Sequence, residues 1–299
     1  MRRRFVTLDV FTSRRFTGNP LAVVLEAEGL DTAAMQAIAR EFNHPETVFV
    51  LPAGDPAHRA QVRIFTPAAE LAFAGHPTVG TAVLLARLDG GTARRPMILK
   101  EGIGPVRCEA VPVDPDSGRA SFALPRLPAE AGQGADPAAA AAALALDPTD
   151  IGFDGLRPSR WSAGLAQNFV PVRSLAAMAR ARPDPVRFEP AFAVEGRAVA
   201  YLYCSEAAEP GHDFHARMFA PGLGVPEDPA TGSAAAAFAG LLAGTGRYDD
   251  GDHLVRIEQG YEMGRPSVME LSFTMRSGAL AAGSVGGSAV VVTEGVIEA

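Results

Sequence analysis

The 299-residue chain reads as an α+β protein of two pseudo-symmetric domains, each a curved, barrel-like mixed or antiparallel sheet around one central helix. An internal repeat is the first observation behind this reading. The stretch RIFTPAAELAFAGHPTVGTAVLLARL from Arg63 is matched by RMFAPGLGVPEDPATGSAAAAFAGLL from Arg217. Each copy runs Arg-x-Phe-x-Pro, a loop, then Gly-(Thr/Ser)-Ala opening an apolar helix. The second observation is a near-constant offset: Arg63 to Arg217 is 154 residues, Gly80 to Gly232 is 152, and Gly102 to Gly260 is 158. So small a drift implies a duplicated domain, and the length suits two domains of about 150 residues each. The third is that strand-like runs outnumber helices, which argues against a regularly alternating doubly wound sheet.

Along the chain, strands are expected at 5–10, 22–25, 47–51, 61–65, 97–100, 106–111, 198–203, 215–219, 255–258, 268–273 and 289–293. Helices are expected at 32–42, 77–88 and 229–243, with an alanine-rich one near 137–146. VFVLPAGDPAHRAQVRIFTP (48–67) aligns without a gap onto LYCSEAAEPGHDFHARMFAP (202–221), so two strands and a turn precede each central helix. EGIGPV at Gly102 echoes QGYEMGRPSV at Gly260. The Pro- and Gly-rich stretch 112–150 is the expected linker, its alanine tract a surface helix. The first domain is placed at 1–118, with the C-terminal strand 286–299 as an optional addition, and the second at 119–285.

Composition narrows the function classes. Hydrophobic residues make up 47% and charged residues 20%, ordinary for a folded soluble domain. The net charge of −7 comes with only short basic clusters (Met1–Arg4, Arg14-Arg15, Arg94-Arg95), so nucleic acid is not an expected partner. Asp9 interrupts the first apolar stretch, and the run 137–146 is far short of the roughly 20 residues that span a bilayer. A cytoplasmic location without membrane association is expected. Cys108 and Cys204 lie in separate strand-like runs with no CxxC pair, and both are expected to be buried apolar side chains.

The candidate chemistry sits where the two copies differ. His76 precedes Pro77 where the other copy has Asp228 before Pro229, and proline at a first helical position makes His76 and Asp228 the expected N-caps. Aspartate is so good a cap that it needs no further reason to be there. Histidine is a poor one, and its place between glycine and proline favours function. Backbone N–H groups at 75–79 and 229–233 are expected to seat a carboxylate. Gly80 and Gly232 would allow close approach of a ligand or, equally, tight helix–sheet packing, while Thr81 and Ser233 add hydroxyls. Glu46, in NHPETVFV, leads into an apolar strand where the other copy has Ala200. A carboxyl enclosed there could act as acid or base; taken alone, Glu46 reads better as an exposed strand start. His44 and Glu41 flank the same turn without an evident role. No G-x-S-x-G elbow, P-loop, dinucleotide fingerprint or H-E-x-x-H is present, so neither cofactor nor metal is indicated.

Together, DVFTSRRFTGNPLAVVL, ETVFV, FTPAAELAFAGHPTVGTA, EDPATGSA and QGYEMGRPS resemble the phenazine-biosynthesis PhzF-like family, in family order from Asp9 to Ser267. The resemblance implies a diaminopimelate-epimerase-like fold with the active site between two similar domains. It implies a cofactor-independent isomerase that moves a proton between carbons of a small carboxylate, as the characterised member does with trans-2,3-dihydro-3-hydroxyanthranilate, and often a homodimer. By the same resemblance Glu46 is the proton shuttle, His76 and Asp228 assist catalysis, and Gly75, Gly232 and Ser233 contact substrate. Related two-cysteine racemases carry Cys-Gly-x-Gly loops at the helix starts; no cysteine stands there. His44, two residues from Glu46, departs from the pattern and bears on substrate choice. A Ser233-dependent hydrolase or lyase, and a non-catalytic small-molecule binder, are the alternatives.

Overall fold

The computed structural model describes residues 1–299, which divide into two compact units: Met1–Ala123 with Val285–Ala299, and Leu124–Ser284. In the first unit the strands are β1 (Arg2–Val10), β2 (Asn19–Val24), β3 (Glu46–Leu51), β4 (Ala60–Phe65), the two-residue β5 (Glu70–Leu71), β6 (Arg95–Glu101), β7 (Gly104–Pro112) and β8 (Ser117–Ala123). The helices are α1 (Thr32–Phe42) and α2 (Gly75–Leu88). β1 pairs antiparallel with β2, β2 parallel with β3, β3 antiparallel with β4, and β4 parallel with β6. The β6–β7–β8 meander follows, and the C-terminal strand Ala279–Glu298 joins β8 and returns antiparallel to β1. Eight strands therefore close a barrel, which leaves no edge exposed.

Helix α2 runs inside that barrel. Every residue from Gly75 to Ala86 is buried, as expected for a helix enclosed on all sides. It packs on β1, β2, β3, β6, β7 and β8. Such packing requires small residues where backbone meets sheet: a Cβ at Gly80 would lie 2.6 Å from Leu21 Cδ2 and 2.8 Å from Val10 Cγ2. A second core lies under α1, whose Met35 and Ala39 pack with Val24, Phe49 and Phe65. Asp31 caps α1 by accepting from Ala34 N–H, and Asn43, in the left-handed region at φ 51°, stops it.

The second unit repeats the plan. Its strands are β9 (Ala129–Gln133), β10 (Ser159–Ser162), β11 (Ala166–Pro171), the short pair β12 (Ala193–Val194) and β13 (Arg197–Ala198), β14 (Ala200–Cys204), β15 (Phe214–Ala220), β16 (Val225–Asp228), β17 (Gly251–Gln259) and β18 (Ser267–Arg276). Its helices are α3 (Pro137–Ala143), α4 (Leu175–Arg180), α5 (Phe188–Phe192) and α6 (Gly232–Gly244). β11 runs parallel to β14, β14 antiparallel to β15, β15 parallel to β17 and β17 antiparallel to β18, the same order of directions as β2, β3, β4, β6 and β7. Helix α6 is the buried central helix of this unit.

The linker expected at 112–150 is corrected by the structure: the stretch holds β8, β9 and α3, and the units part after Ala123. The alanine tract is a surface helix with one buried face: Ala140, Ala141, Ala143 and Leu144 pack beside α4, α5 and the sheet, while Ala138, Ala139 and Ala142 are exposed. β8 escapes a propensity reading because its Gly118 and Ala120 face crowded neighbours. A Cβ on Gly118 would sit 2.9 Å from Val83, and one on Gly286 of the C-terminal strand 2.8 Å from the Ala120 carbonyl. No helix is long and apolar enough to cross a membrane. Both cysteines are buried and free, and burial raises both thiols, that of Cys204 to about 12.

Candidate active site

In the first unit, Glu46 and His76 come together. Asn43 ends α1, and Pro45 favours an extended residue before it, so Glu46 becomes the first residue of β3, registered opposite Leu21 of β2. His76 lies in the first turn of α2, and its Nε2 is 3.2 Å from Oε2 of Glu46. Both side chains are largely buried, at 5% and 16% exposure, so Glu46 is not an exposed strand start.

The imidazole also bonds the Pro20 carbonyl of β2. Because Nε2 has no aligned hydrogen bond, that contact belongs to Nδ1. Burial is the main influence on the ring, lowering its pKa to about 3; the Pro20 carbonyl opposes this and His44 adds to it. The ring is neutral at ordinary pH. A carbonyl can only accept, so the single proton sits on Nδ1 and Nε2 presents a lone pair towards Glu46. The pair is thus an imidazole acceptor facing a carboxyl group, held by two strands and a helix.

The expected capping roles are corrected. The N-cap of α2 is Ala74, without a side-chain cap, and α6 starts at Gly232 with Thr231 before it. His76 is drawn instead to β2 and β3. Asp228 closes β16, where Oδ2 accepts from the Thr231 hydroxyl at 2.6 Å. Not all the N–H groups expected to seat an anion are open, since Thr78 N–H bonds Ala74 O and Thr231 N–H bonds Gln259 Oε1 at 3.2 Å. Gly75 and Gly232 are the buried first residues of their helices, and Thr81 is fully buried in α2. The Ser233 hydroxyl faces the Gln167 amide at 3.5 Å. An amide cannot remove its proton. His44 stacks on Phe42 with ring centroids 6.4 Å apart.

Other residues shape the Asp228 turn. Gln259 Nε2 donates to the Asp228 carbonyl at 2.7 Å and to Thr231 Oγ1 at 3.0 Å. Glu227 is gripped by Arg217 through two bonds of 2.8 and 2.9 Å, and Arg217 also donates to the carbonyls of Met178 and Ala181. Arg63 plays the corresponding part in the first unit, bonding Glu70 at 2.7 and 2.6 Å and Thr32 at 2.9 Å. Each arginine lies over the phenylalanine two residues on. The shared Arg-x-Phe-x-Pro words are scaffold that ties each pre-helix loop down. Gln259 could have been found in sequence, because it directly precedes the repeat landmark Gly260.

A family model described as phenazine biosynthesis-like protein (PhzC-PhzF) matches residues 8–295. An uncharacterized isomerase of Mesorhizobium japonicum is 49% identical, over 98% of each chain. The trans-2,3-dihydro-3-hydroxyanthranilate isomerase of Pseudomonas chlororaphis is 34% identical, again over 98% of each. Among solved structures, a PhzF-family phenazine biosynthesis protein from Bacillus anthracis is similar over 100% of both chains, with a TM-score of 0.89 and 25% identity. A hydroxyproline epimerase from Agrobacterium vitis shares the fold, with a TM-score of 0.59 at 15% identity over 99% of this chain and 92% of that one.

Proposed function

The chain belongs to the phenazine biosynthesis-like family and is an isomerase, and from that premise we propose that it moves a proton between carbons of a small carboxylate-bearing substrate without a cofactor. Glu46 removes the proton from a carbon beside an unsaturated or carboxyl-bearing centre and returns it to another carbon. His76 and Asp228 hydrogen-bond the polar groups of the substrate, and Gly75, Gly232 and Ser233 contact it. Assigning both halves to one substrate, a homodimer and a cytoplasmic location belong to the same proposal.

The observation that carries it is the Glu46–His76 pair. A neutral imidazole lone pair 3.2 Å from the carboxyl group offers an acceptor to the proton once Glu46 has taken it up. A proton shuttle needs such a resting place for the proton between its removal and return. Ser233 lacks a neighbouring base among its contacts, which disfavours the nucleophile alternative.

The test is turnover of trans-2,3-dihydro-3-hydroxyanthranilate and a panel of small unsaturated acids in deuterium oxide. Product with carbon-bound deuterium, lost in Glu46→Gln, is the expected result. Turnover unaffected by Glu46→Gln refutes the assignment.

A further inference from the structure

Glu101, the last residue of β6, is 3% exposed, forms no ion pair, and has no hydrogen-bond partner for Oε2. Its other oxygen, Oε1, lies 2.7 Å from the hydroxyl of Thr78, two residues along α2 from His76. That hydroxyl also lies 2.8 Å from the Ala74 carbonyl. A hydroxyl has one proton and the carbonyl can only accept. The Ala74 carbonyl already accepts the Thr78 N–H, so the hydroxyl proton can go to either oxygen, and this one hydroxyl is the whole polar company of the buried carboxyl. With Oε2 unpartnered, a neutral acid is far cheaper to bury there than a carboxylate.

The repeat supplies an independent argument. Glu101-Gly102 corresponds to Gln259-Gly260, and Gln259 holds the Asp228 turn through three bonds. Both turns are pressed on the segment they hold: a Cβ on Gly102 would lie 2.8 Å from Ala72 Cα, and one on Gly260 2.7 Å from the Pro229 carbonyl. A protonated carboxyl matches a carboxamide in shape and likewise offers one donating and one accepting end. A carboxylate does not.

We propose that Glu101 is a neutral carboxylic acid acting as the positioning residue of the His76 turn, the counterpart of Gln259 at the Asp228 turn. Its relevance to catalysis rests on the reading of His76 given above; its protonation state does not. Burial acts in the same direction, raising the carboxyl to about 8, with Thr78 opposing. Cys108 of β7 is its titratable neighbour, and burial keeps that thiol protonated through the same range. Ionisation of Glu101 would place a buried, half-satisfied charge against the first turn of α2.

The direct test follows the His76 ring Cε1–H resonance against pH in isotope-labelled full-length protein. His76 itself stays neutral above about 3, and Glu46, the carboxyl nearest the ring, is separated by Glu46→Gln, so a chemical-shift step with a midpoint near 8 that survives Glu46→Gln reports Glu101. The step is expected in the wild type and absent in Glu101→Gln, whose His76 resonance matches the low-pH wild type. Thr78→Val, which removes the hydroxyl partner of Glu101, is expected to move the His76 resonance at low pH. A protonated-carboxyl infrared band at pH 6, lost in Glu101→Gln, is the second expected readout. Absence of that band, or a step that persists in Glu101→Gln, overturns the proposal. None of these readouts needs a substrate, so they stand apart from failure of the isomerase reading. Where turnover is measured, Glu101→Gln should keep activity within about twofold at pH 6 and lose the fall near pH 8; an unchanged basic limb overturns the positioning role.

Discussion

The two repeats contain a matched experiment in buried electrostatics. Arg63 and Arg217 hold the same place in the same motif, each paired with a glutamate and lying over a phenylalanine, yet their surroundings differ. The Arg63–Glu70 side chains are 23% and 39% exposed, and those of Arg217–Glu227 are 6% and 15%. Replacing each arginine with methionine keeps the apolar stem over the ring and removes only the charge and its bonds. At Glu70, water can solvate the abandoned carboxylate, so the loss should be about 1 kcal/mol. At Glu227 the carboxylate is left largely buried, and the Met178 and Ala181 carbonyls lose their donor too. Breaking such a pair costs about 3–5 kcal/mol, a large share of a typical 5–15 kcal/mol stability. Urea unfolding of both variants at pH 7 reads the difference as a shift of midpoint at constant slope. Equal losses, or less than about 1 kcal/mol for Arg217→Met, would refute the reasoning.

Further outcomes follow from the same geometry. Because the folded pKa of His76 is depressed to about 3, the unfolded chain takes up the proton first; wild-type stability should fall as pH drops from about 6.5 towards 3, and His76→Asn should flatten that slope in pH-dependent melting. His215 behaves oppositely: burial disfavours its cation, but Glu258 and Glu262, at 2.6 and 3.0 Å, raise it to about 9. Its contribution should be present below about 6.5 and lost as pH rises through 9, a loss that His215→Gln removes from the pH–stability curve. Gly80→Ala gains some helix propensity but drives a methyl into Leu21 and Val10, and calorimetry should show a net loss of about 1–2 kcal/mol.

Much of the architecture was legible because duplication leaves a long-range signal that needs no propensity. The Arg63/Arg217 and Gly80/Gly232 landmarks located both central helices, and α1 at Thr32–Phe42 matched its amphipathic run to the residue. The strands that escaped, β8 and β9 among them, are rich in glycine, alanine and other small or polar residues. In β8 that composition answers to close approach of backbone and helix, and β9 is too exposed to carry an apolar alternation. The capping expectation failed at His76 because a tertiary contact with Pro20 and Glu46 outweighs any local role. Glu101 and Gln259 were visible as the residues before two aligned glycines, but only the Thr78 and Thr231 contacts reveal what they do.

The central claim is that one carboxyl group, Glu46, carries the proton from one carbon to another. Mass-spectrometric or NMR analysis of product formed in deuterium oxide tests it most directly. The account predicts carbon-bound deuterium in product made by the wild type, and a turnover loss of at least about 100-fold in Glu46→Gln, the scale of a missing general acid–base group. Product free of carbon-bound deuterium in the wild type, together with full turnover by Glu46→Gln, would contradict it.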